Sequence, residues 1–220
     1  MTTESPEPAN GGRVYGGEAP ADRAARRRRQ LMDAGLELFG TVGFRKTTVR
    51  QLCGQARVAD RYFYEEFNGT EDLLLAVYDE CHHRLRQAVA DAWAGVPPTE
   101  PAHIAVAAGL DSFLAYVEQH PPLARLVWFE ILGVSRAVES RHIQRLSEFG
   151  ELIGRLVETR GGTIVAVGAA RSVLLTAVAG GVSQVTMAWI DENFATARDE
   201  LVSSLVPYVV GASTFAPATA

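Results

Sequence analysis

Nine side chains between positions 45 and 64 are of the kinds that grip a polyanion or read a base edge: Arg45, Lys46, Thr47, Thr48, Arg57, Asp60, Arg61, Tyr62 and Tyr64. Cations and hydroxyls bind phosphate oxygens, and polar side chains at the start of a helix can reach base edges in a major groove. Such a set works only if a scaffold presents it on one surface. Thr48 is a good N-cap, because its hydroxyl can accept from the backbone N–H groups two or three residues on. Val49, Leu52, Cys53 and Ala56 then fall at i, i+3, i+4 and i+7, one face of a short helix over 49–55. The break at Ala56-Arg57-Val58 and a new start at Asp60 open a second short helix over 61–67. Two such helices around a tight turn have the shape of a helix-turn-helix, with 61–67 as the expected recognition helix. On that scaffold Arg61 and Tyr62 are expected at base edges, with Arg45, Lys46, Thr47, Thr48, Arg57 and Tyr64 over phosphates.

The charge distribution agrees with this reading. The chain of 220 residues carries a formal net charge of −5, which by itself argues against nucleic acid, but the charge is segregated. Residues 1–20 hold one basic and three acidic side chains, residues 21–70 ten basic and six acidic, and residues 71–220 ten basic and seventeen acidic. A basic head on an acidic body suits a protein whose head meets phosphates and whose body does not.

Other chemistry is weakly represented. Cys53 and Cys81 form neither a CxxC pair nor a disulfide framework. His82 and His83 point to different faces of one helix; Asp79 and His83 at i, i+4 could share a metal, against a bland reading as surface polarity. No Gly-x-Ser-x-Gly, glycine-rich phosphate loop or His-Glu-x-x-His occurs. Adjacent Glu65 and Glu66 diverge on a helix and are more consistent with tuning specificity by repulsion than with acid–base work. No catalytic residue, metal or cofactor is expected.

Along the chain, residues 1–23 are Gly-, Pro-, Ala- and Glu-rich without periodicity and are expected to be a disordered tail. Arg23 and the run Arg26 to Arg29 read either as a solvated first turn or as an arm that follows the phosphate backbone. Four cations at a helix start oppose the macrodipole, which favours the arm. A helix over 24–42 closes the head at Gly43, so that the head spans 24–70. A long helix over 71–93 joins it to a helical body over 71–212, punctuated by Pro97-Pro98, Pro121-Pro122 and Gly161-Gly162, with a flexible tail at 213–220. No period-2 strand is evident, so the fold class is all-α. Residues 172–190 carry no charge and approach the length of a membrane span, but Ser172, Thr176, Ser183, Gln184 and Thr186 suit lipid poorly. A helix apolar all round in a soluble protein must be covered all round, here by its own core and by a second subunit approaching at Gly180 and Gly181. With no signal peptide evident, a cytoplasmic location and no membrane are expected.

The ordered set Ala34, Leu38, Phe39, Gly43, Phe44, Thr47, Thr48, Val49, Leu52, Ala56, Val58, Phe63, Tyr64, Phe67 and Leu73 resembles the DNA-binding domain of the TetR family of bacterial transcriptional regulators. That family's pattern is an amphipathic helix ending in Gly-aromatic, then Thr-Thr, a short helix, an Ala-Gly-Val turn and a recognition helix ending Tyr-x-x-Phe. Two positions depart from it. Arg57 replaces the usual glycine, which costs ~1–2 kcal/mol if the turn needs a positive φ. Thr70 replaces a lysine that touches the DNA backbone. The resemblance implies a homodimeric repressor on a near-palindromic double-stranded operator, released by a small molecule bound in the body. An activator of the same fold, or an enzyme or interaction module with a helical head, are the competing readings.

The body also holds a surplus of large aromatics on separate helices alongside scattered polar groups. Phe113, Tyr116, Trp128, Phe129, Phe149 and Met187, with His142, Arg145, Thr176 and Gln184 as orienting partners, are the expected lining of a mostly apolar pocket for a small hydrophobic ligand.

Overall fold

The computed structural model describes residues 19–165 and 168–215. It is all-α, with nine α-helices among the described residues. The head contains α1 (Pro20–Thr41), a 3-10 turn at Phe44–Lys46, α2 (Val49–Ala56) and α3 (Asp60–Glu66). Then come α4 (Thr70–Gly95), α5 (Ala102–Gln119), α6 (Pro121–Arg125), a π-helical turn (Leu126–Glu130) and α7 (Arg136–Glu158). The chain ends with β1 (Gly162–Ile164), α8 (Ala169–Asp191), α9 (Arg198–Gly211) and β2 (Ser213–Phe215).

Local chemistry explains most of the boundaries. Pro20 opens α1, where its missing N–H is no loss, so the helix starts four residues before the expected 24. Of the expected tail at 1–23, residues 1–18 lie outside the described residues. Gly43, at φ 100°, ends the first segment. Ser135 caps α7 by accepting from Val138 N at 3.3 Å. One feature the sequence did not reveal is an antiparallel pair of three-residue strands, with Gly162 opposite Phe215 and Ile164 opposite Ser213. The strands are too short to show a period, and β2 occupies the start of the expected tail at 213–220; residues 216–220 lie outside the described residues.

The head core is Leu31, Ala34, Phe39, Leu52, Cys53, Val58, Phe63 and Phe67, all buried. Burying each large apolar side chain stabilises by about 1.5–3 kcal/mol, an amount small helices need to hold their angle. α4 serves both halves: Leu73, Leu74 and Val77 pack towards the head, and Cys81, Leu85, Val89 and Trp93 run on through the body. Gly40 of α1 lies so close to Pro122 of α6 that any Cβ would collide with the Pro122 backbone. Head and body therefore touch directly as well as through α4.

Candidate nucleic-acid interface and apolar cavity

The local geometry of the helix-turn-helix follows from its caps. Gln51 N donates to Thr48 Oγ1 at 3.3 Å while Thr48 N donates to Gln51 Oε1 at 2.8 Å, a reciprocal capping box that fixes the start of α2. Arg57 ends α2 at φ 56°, ψ 42°, the left-handed conformation that the glycine of the usual pattern would adopt without strain. α3 then begins at Asp60 and buries Phe63 completely, leaving Asp60, Arg61, Tyr64 and Glu65 exposed.

Seven of the nine expected side chains, Arg45, Lys46, Thr48, Arg57, Asp60, Arg61 and Tyr64, lie exposed around this scaffold. Several of the nine also make contacts within the protein. Thr47 is only 7% exposed and its hydroxyl donates to the Gly43 carbonyl at 2.8 Å, so it is satisfied inside the head. Arg45 donates from Nη2 to the Gly133 carbonyl at 2.6 Å, which points it at the body. Tyr62 is half-buried, its ring held between the guanidinium groups of Arg27 at 4.3 Å and Arg61 at 4.5 Å. Asp60 is exposed but lies beside α2, where burial first and then this carboxylate push the Cys53 thiol up to about 11.

The arginine run does not form a free arm. Arg28 donates from Nη1 to the Glu66 carbonyl at 2.9 Å, satisfying an orphan acceptor at the end of α3, and lies 4.3 Å over the Phe67 ring. Arg27 approaches Glu65 and Glu66 at 3.7 and 3.8 Å. Those two carboxylates thus answer cations of α1 as well as flanking the recognition helix. A neighbouring arrangement escaped the sequence reading. Arg23, Arg26, Arg27 and Gln30 of α1 meet Arg57, Ala59 and Tyr62 around a shallow notch. Its cations come from segments about thirty residues apart, so only the fold brings them together.

In the body, α4, α5, α7, α8, α9 and the π-helical turn line a narrow apolar cavity of about 70 Å³. Phe113, Trp128 and Phe149 line it, as expected, with Phe113 edge-on to both of the others. The other seven expected residues do not reach it. Tyr116 stacks on His120 at 4.1 Å, Phe129 and Met187 pack half-buried against the core, and Gln184 is exposed. His142 shares a 2.7 Å hydrogen bond with Tyr78, and Thr176 lies 3.5 Å from Ser147. Arg145 is bound to Asp79 at 2.8 Å and Glu148 at 2.6 Å, which raise its pKa. His142 and Arg145 thus build the α4–α7 interface and Thr176 the α7–α8 interface, where each finds a partner outside the cavity. The lining that the sequence did not single out includes His82, Leu85, Trp93, Leu110, Leu146 and Ile153.

A short chain of contacts joins cavity to head. Trp128 sits on the π-helical turn and donates from Nε1 to Ser183 Oγ and O at 3.1 Å. Two residues on, Glu130 accepts from Phe44 N at 2.8 Å and from Arg125 Nε at 3.1 Å. Phe44 opens the 3-10 turn that leads to the Thr48 cap. π-Turns are uncommon and concentrate at functional positions.

One described helix, α8, is long and apolar enough to cross a membrane by length and composition; 33% of its most apolar window is buried. Gly181 does not face a vacant outer surface as expected. Its missing Cβ makes room for Tyr208 of α9, whose hydroxyl donates to the Ala177 carbonyl at 2.9 Å. Among the described residues no group of three or more His, Cys, Asp or Glu side chains is arranged to hold a metal.

A basic helix-turn-helix head on a helical body with an apolar cavity is an architecture of DNA-binding transcription regulators. Residues 31–77 match the family model described as bacterial regulatory proteins, tetR family. Over those residues the head matches that family's DNA-binding domain, and the chain as a whole has the fold of TetR-family transcriptional regulators. It is similar to the fatty acid degradation regulator FadR of Bacillus halodurans, with 16% identity over 89% of this chain and 97% of that one and a TM-score of 0.69. The regulator FadR of Bacillus subtilis, solved in complex with stearoyl-CoA, is similar at 15% identity over 84% of this chain and 98% of that one, TM-score 0.69. A TetR-like regulator from Rhodococcus sp. RHA1 is similar at 20% identity over 89% of this chain and all of that one, TM-score 0.61. No curated protein matches the chain.

Proposed function

We propose that the protein is a cytoplasmic, homodimeric transcriptional repressor that leaves a near-palindromic operator when an apolar small molecule occupies the cavity of its body. The observation that carries this reading is the contact path from Trp128 in the cavity wall, through the π-turn, to Glu130 and the Phe44 backbone of the head. A ligand shifts an equilibrium only by its differential affinity for the two states. Ligand pockets commonly hold about 300–1,000 Å³, and this cavity of about 70 Å³ must widen to take such a molecule. Widening moves the wall that holds Glu130. The ligand therefore favours a different head placement from the empty protein, as release from an operator requires. The stearoyl-CoA bound to the Bacillus subtilis relative supports long apolar chains as the first class to try.

The dimer is assigned to α8 and α9. Val173 and Val185 of α8 and Tyr208 of α9 are exposed large hydrophobics, an unusual investment for a lone subunit in water. Two like heads then call for half-sites one helical turn, about 34–36 Å, or a multiple of it apart. Within the head, Arg61 is assigned to base edges, and Lys46, Thr48, Arg57 and Tyr64 to phosphates.

The test is selection of bound duplexes from a random DNA pool, followed by titration of the selected site at several salt concentrations with and without long-chain acyl compounds. A palindromic consensus, a steep salt dependence and weaker binding with ligand are expected. Recovery of no consensus, or operator affinity unchanged by every compound that stabilises the protein, overturns the reading. Sedimentation at micromolar concentration checks the dimer, and a monomer that still binds its operator tightly overturns that part.

A further inference from the structure

The cavity contains one polar side chain whose hydrogen-bonding groups have nothing to bind. His82 of α4 is 8% exposed, and neither Nδ1 nor Nε2 has a partner. Buried polar groups in folded proteins are satisfied with few exceptions, so an orphaned imidazole needs an explanation. The neighbouring groups that could have satisfied it are taken. Its ring packs edge-on against Tyr78 at 4.5 Å, but the Tyr78 hydroxyl is bound to His142, and Arg145 is held by Asp79 and Glu148. Of the other polar lining groups, the Ser183 hydroxyl accepts from Trp128 Nε1 and Trp93 Nε1 donates to Thr159.

Resting on the ligand-binding reading above, we propose that His82 is the polar anchor of the cavity, and that the ligand is an elongated apolar molecule carrying an uncharged carbonyl or hydroxyl group that hydrogen-bonds to the imidazole. A carbonyl uses the ring N–H, and a hydroxyl can use either nitrogen. An ionised carboxylate fits poorly. The lining holds no Lys or Arg, and burial pushes His82 down to about 3, so the ring is neutral at ordinary pH. One neutral N–H is a poor replacement for the hydration a buried carboxylate loses.

Trp93 and Trp128 line the same cavity and report on its contents by fluorescence. The full-length protein is titrated at pH 7.5 with 1-decanol, methyl decanoate and decanoate, and the three affinities are compared in wild type, His82→Leu and His82→Gln. The alcohol and the ester are expected to bind at least about tenfold tighter than the carboxylate. His82→Leu is expected to weaken alcohol and ester by about tenfold, the scale of one buried hydrogen bond, while leaving the carboxylate unchanged, and His82→Gln to restore part of the loss. Circular dichroism confirms that each variant is folded, and His82→Gln keeps a polar group should leucine disturb the packing. A preference for decanoate, no binding by any probe, or equal alcohol and ester affinity in wild type and His82→Leu overturns the anchor. Binding that depends on His82 but leaves operator affinity unchanged supports the anchor and overturns ligand release alone.

Discussion

The Glu130 carboxylate accepts a hydrogen bond from the Phe44 backbone N–H at 2.8 Å, across 86 positions of sequence, and thereby ties the body's π-turn to the turn preceding the Thr48 cap. The same carboxylate holds Arg125 at 3.1 Å, and its side chain is largely covered. A hydrogen bond to a charged group contributes about 1.5–3 kcal/mol, enough to keep head and body in register. Glu130→Ala is therefore expected to lower stability by about 1–3 kcal/mol and, more tellingly, to reduce the ratio of operator affinities without and with saturating ligand. Operator titrations of both proteins measure that ratio. An unchanged ratio would remove this contact from the transmission path.

Arg57 sets two effects against each other. Its left-handed backbone is strained for a side chain, and it lines the notch between α1 and the turn together with Arg23 and Arg26. Arg57→Gly is expected to raise stability by up to ~1 kcal/mol, since glycine adopts this conformation without a Cβ clash. It should also weaken DNA binding and reduce the salt slope by about one. Denaturant melts and salt titrations separate the two. A loss of stability would show that the arginine side chain offsets its own strain within the protein, and an unchanged salt slope would take it off the phosphate surface.

Arg61 and Lys46 are exposed at different ends of the interface and are expected to fail differently. Arg61→Ala should cost about 1–3 kcal/mol on the selected operator and relax preference at one base pair. Lys46→Ala should weaken selected and random DNA alike and lower the salt slope by about one. Equal losses on both DNAs for Arg61→Ala would move Arg61 to the phosphate set.

The head was legible because its signals are local. A threonine cap, an i, i+3, i+4, i+7 stripe and a turn residue each act within a few positions, and Thr48, Leu52 and Arg57 behave as their sequence context demands. Thr47 and Arg45 show what local signals leave out, since a place at the start of a turn does not reveal that a carbonyl such as that of Gly43 or Gly133 lies within hydrogen-bond reach. The cavity was less legible still. Its walls come from five helices and the π-helical turn, and an aromatic surplus cannot separate Phe113, which reaches the cavity, from Tyr116, three residues on, which turns to His120. His82 and His83 were expected on different faces of their helix, but adjacency does not say which of the two is buried, and it is His82, at 8% exposure, that turns inward. Gly181 was assigned to a second subunit because sequence shows that a close approach is permitted and not that Tyr208 makes it.

Stability should depend on pH through the same histidine. Burial is the main cause that holds His82 neutral in the folded protein down to about 3; His142 and Arg145 on α7 and Arg86 on α4 act in the same direction, and Asp79 opposes them. In the unfolded chain an ordinary histidine takes up its proton near 6.5. Between those values the unfolded state binds a proton that the folded state refuses, so stability falls as pH falls, by up to ~1.4 kcal/mol per pH unit. Above about pH 7 both states are neutral and the contribution vanishes. Burial lowers the pKa of His142 as well, which adds to the loss in the same direction. Denaturant melts at pH 7.0, 6.0 and 5.0 are expected to show wild type losing stability steadily, with His82→Leu losing about 1 kcal/mol per unit less below pH 6. Parallel pH dependences in the two proteins would mean that the imidazole ionises inside the folded body, and a charged His82 would then face the cavity at mildly acid pH.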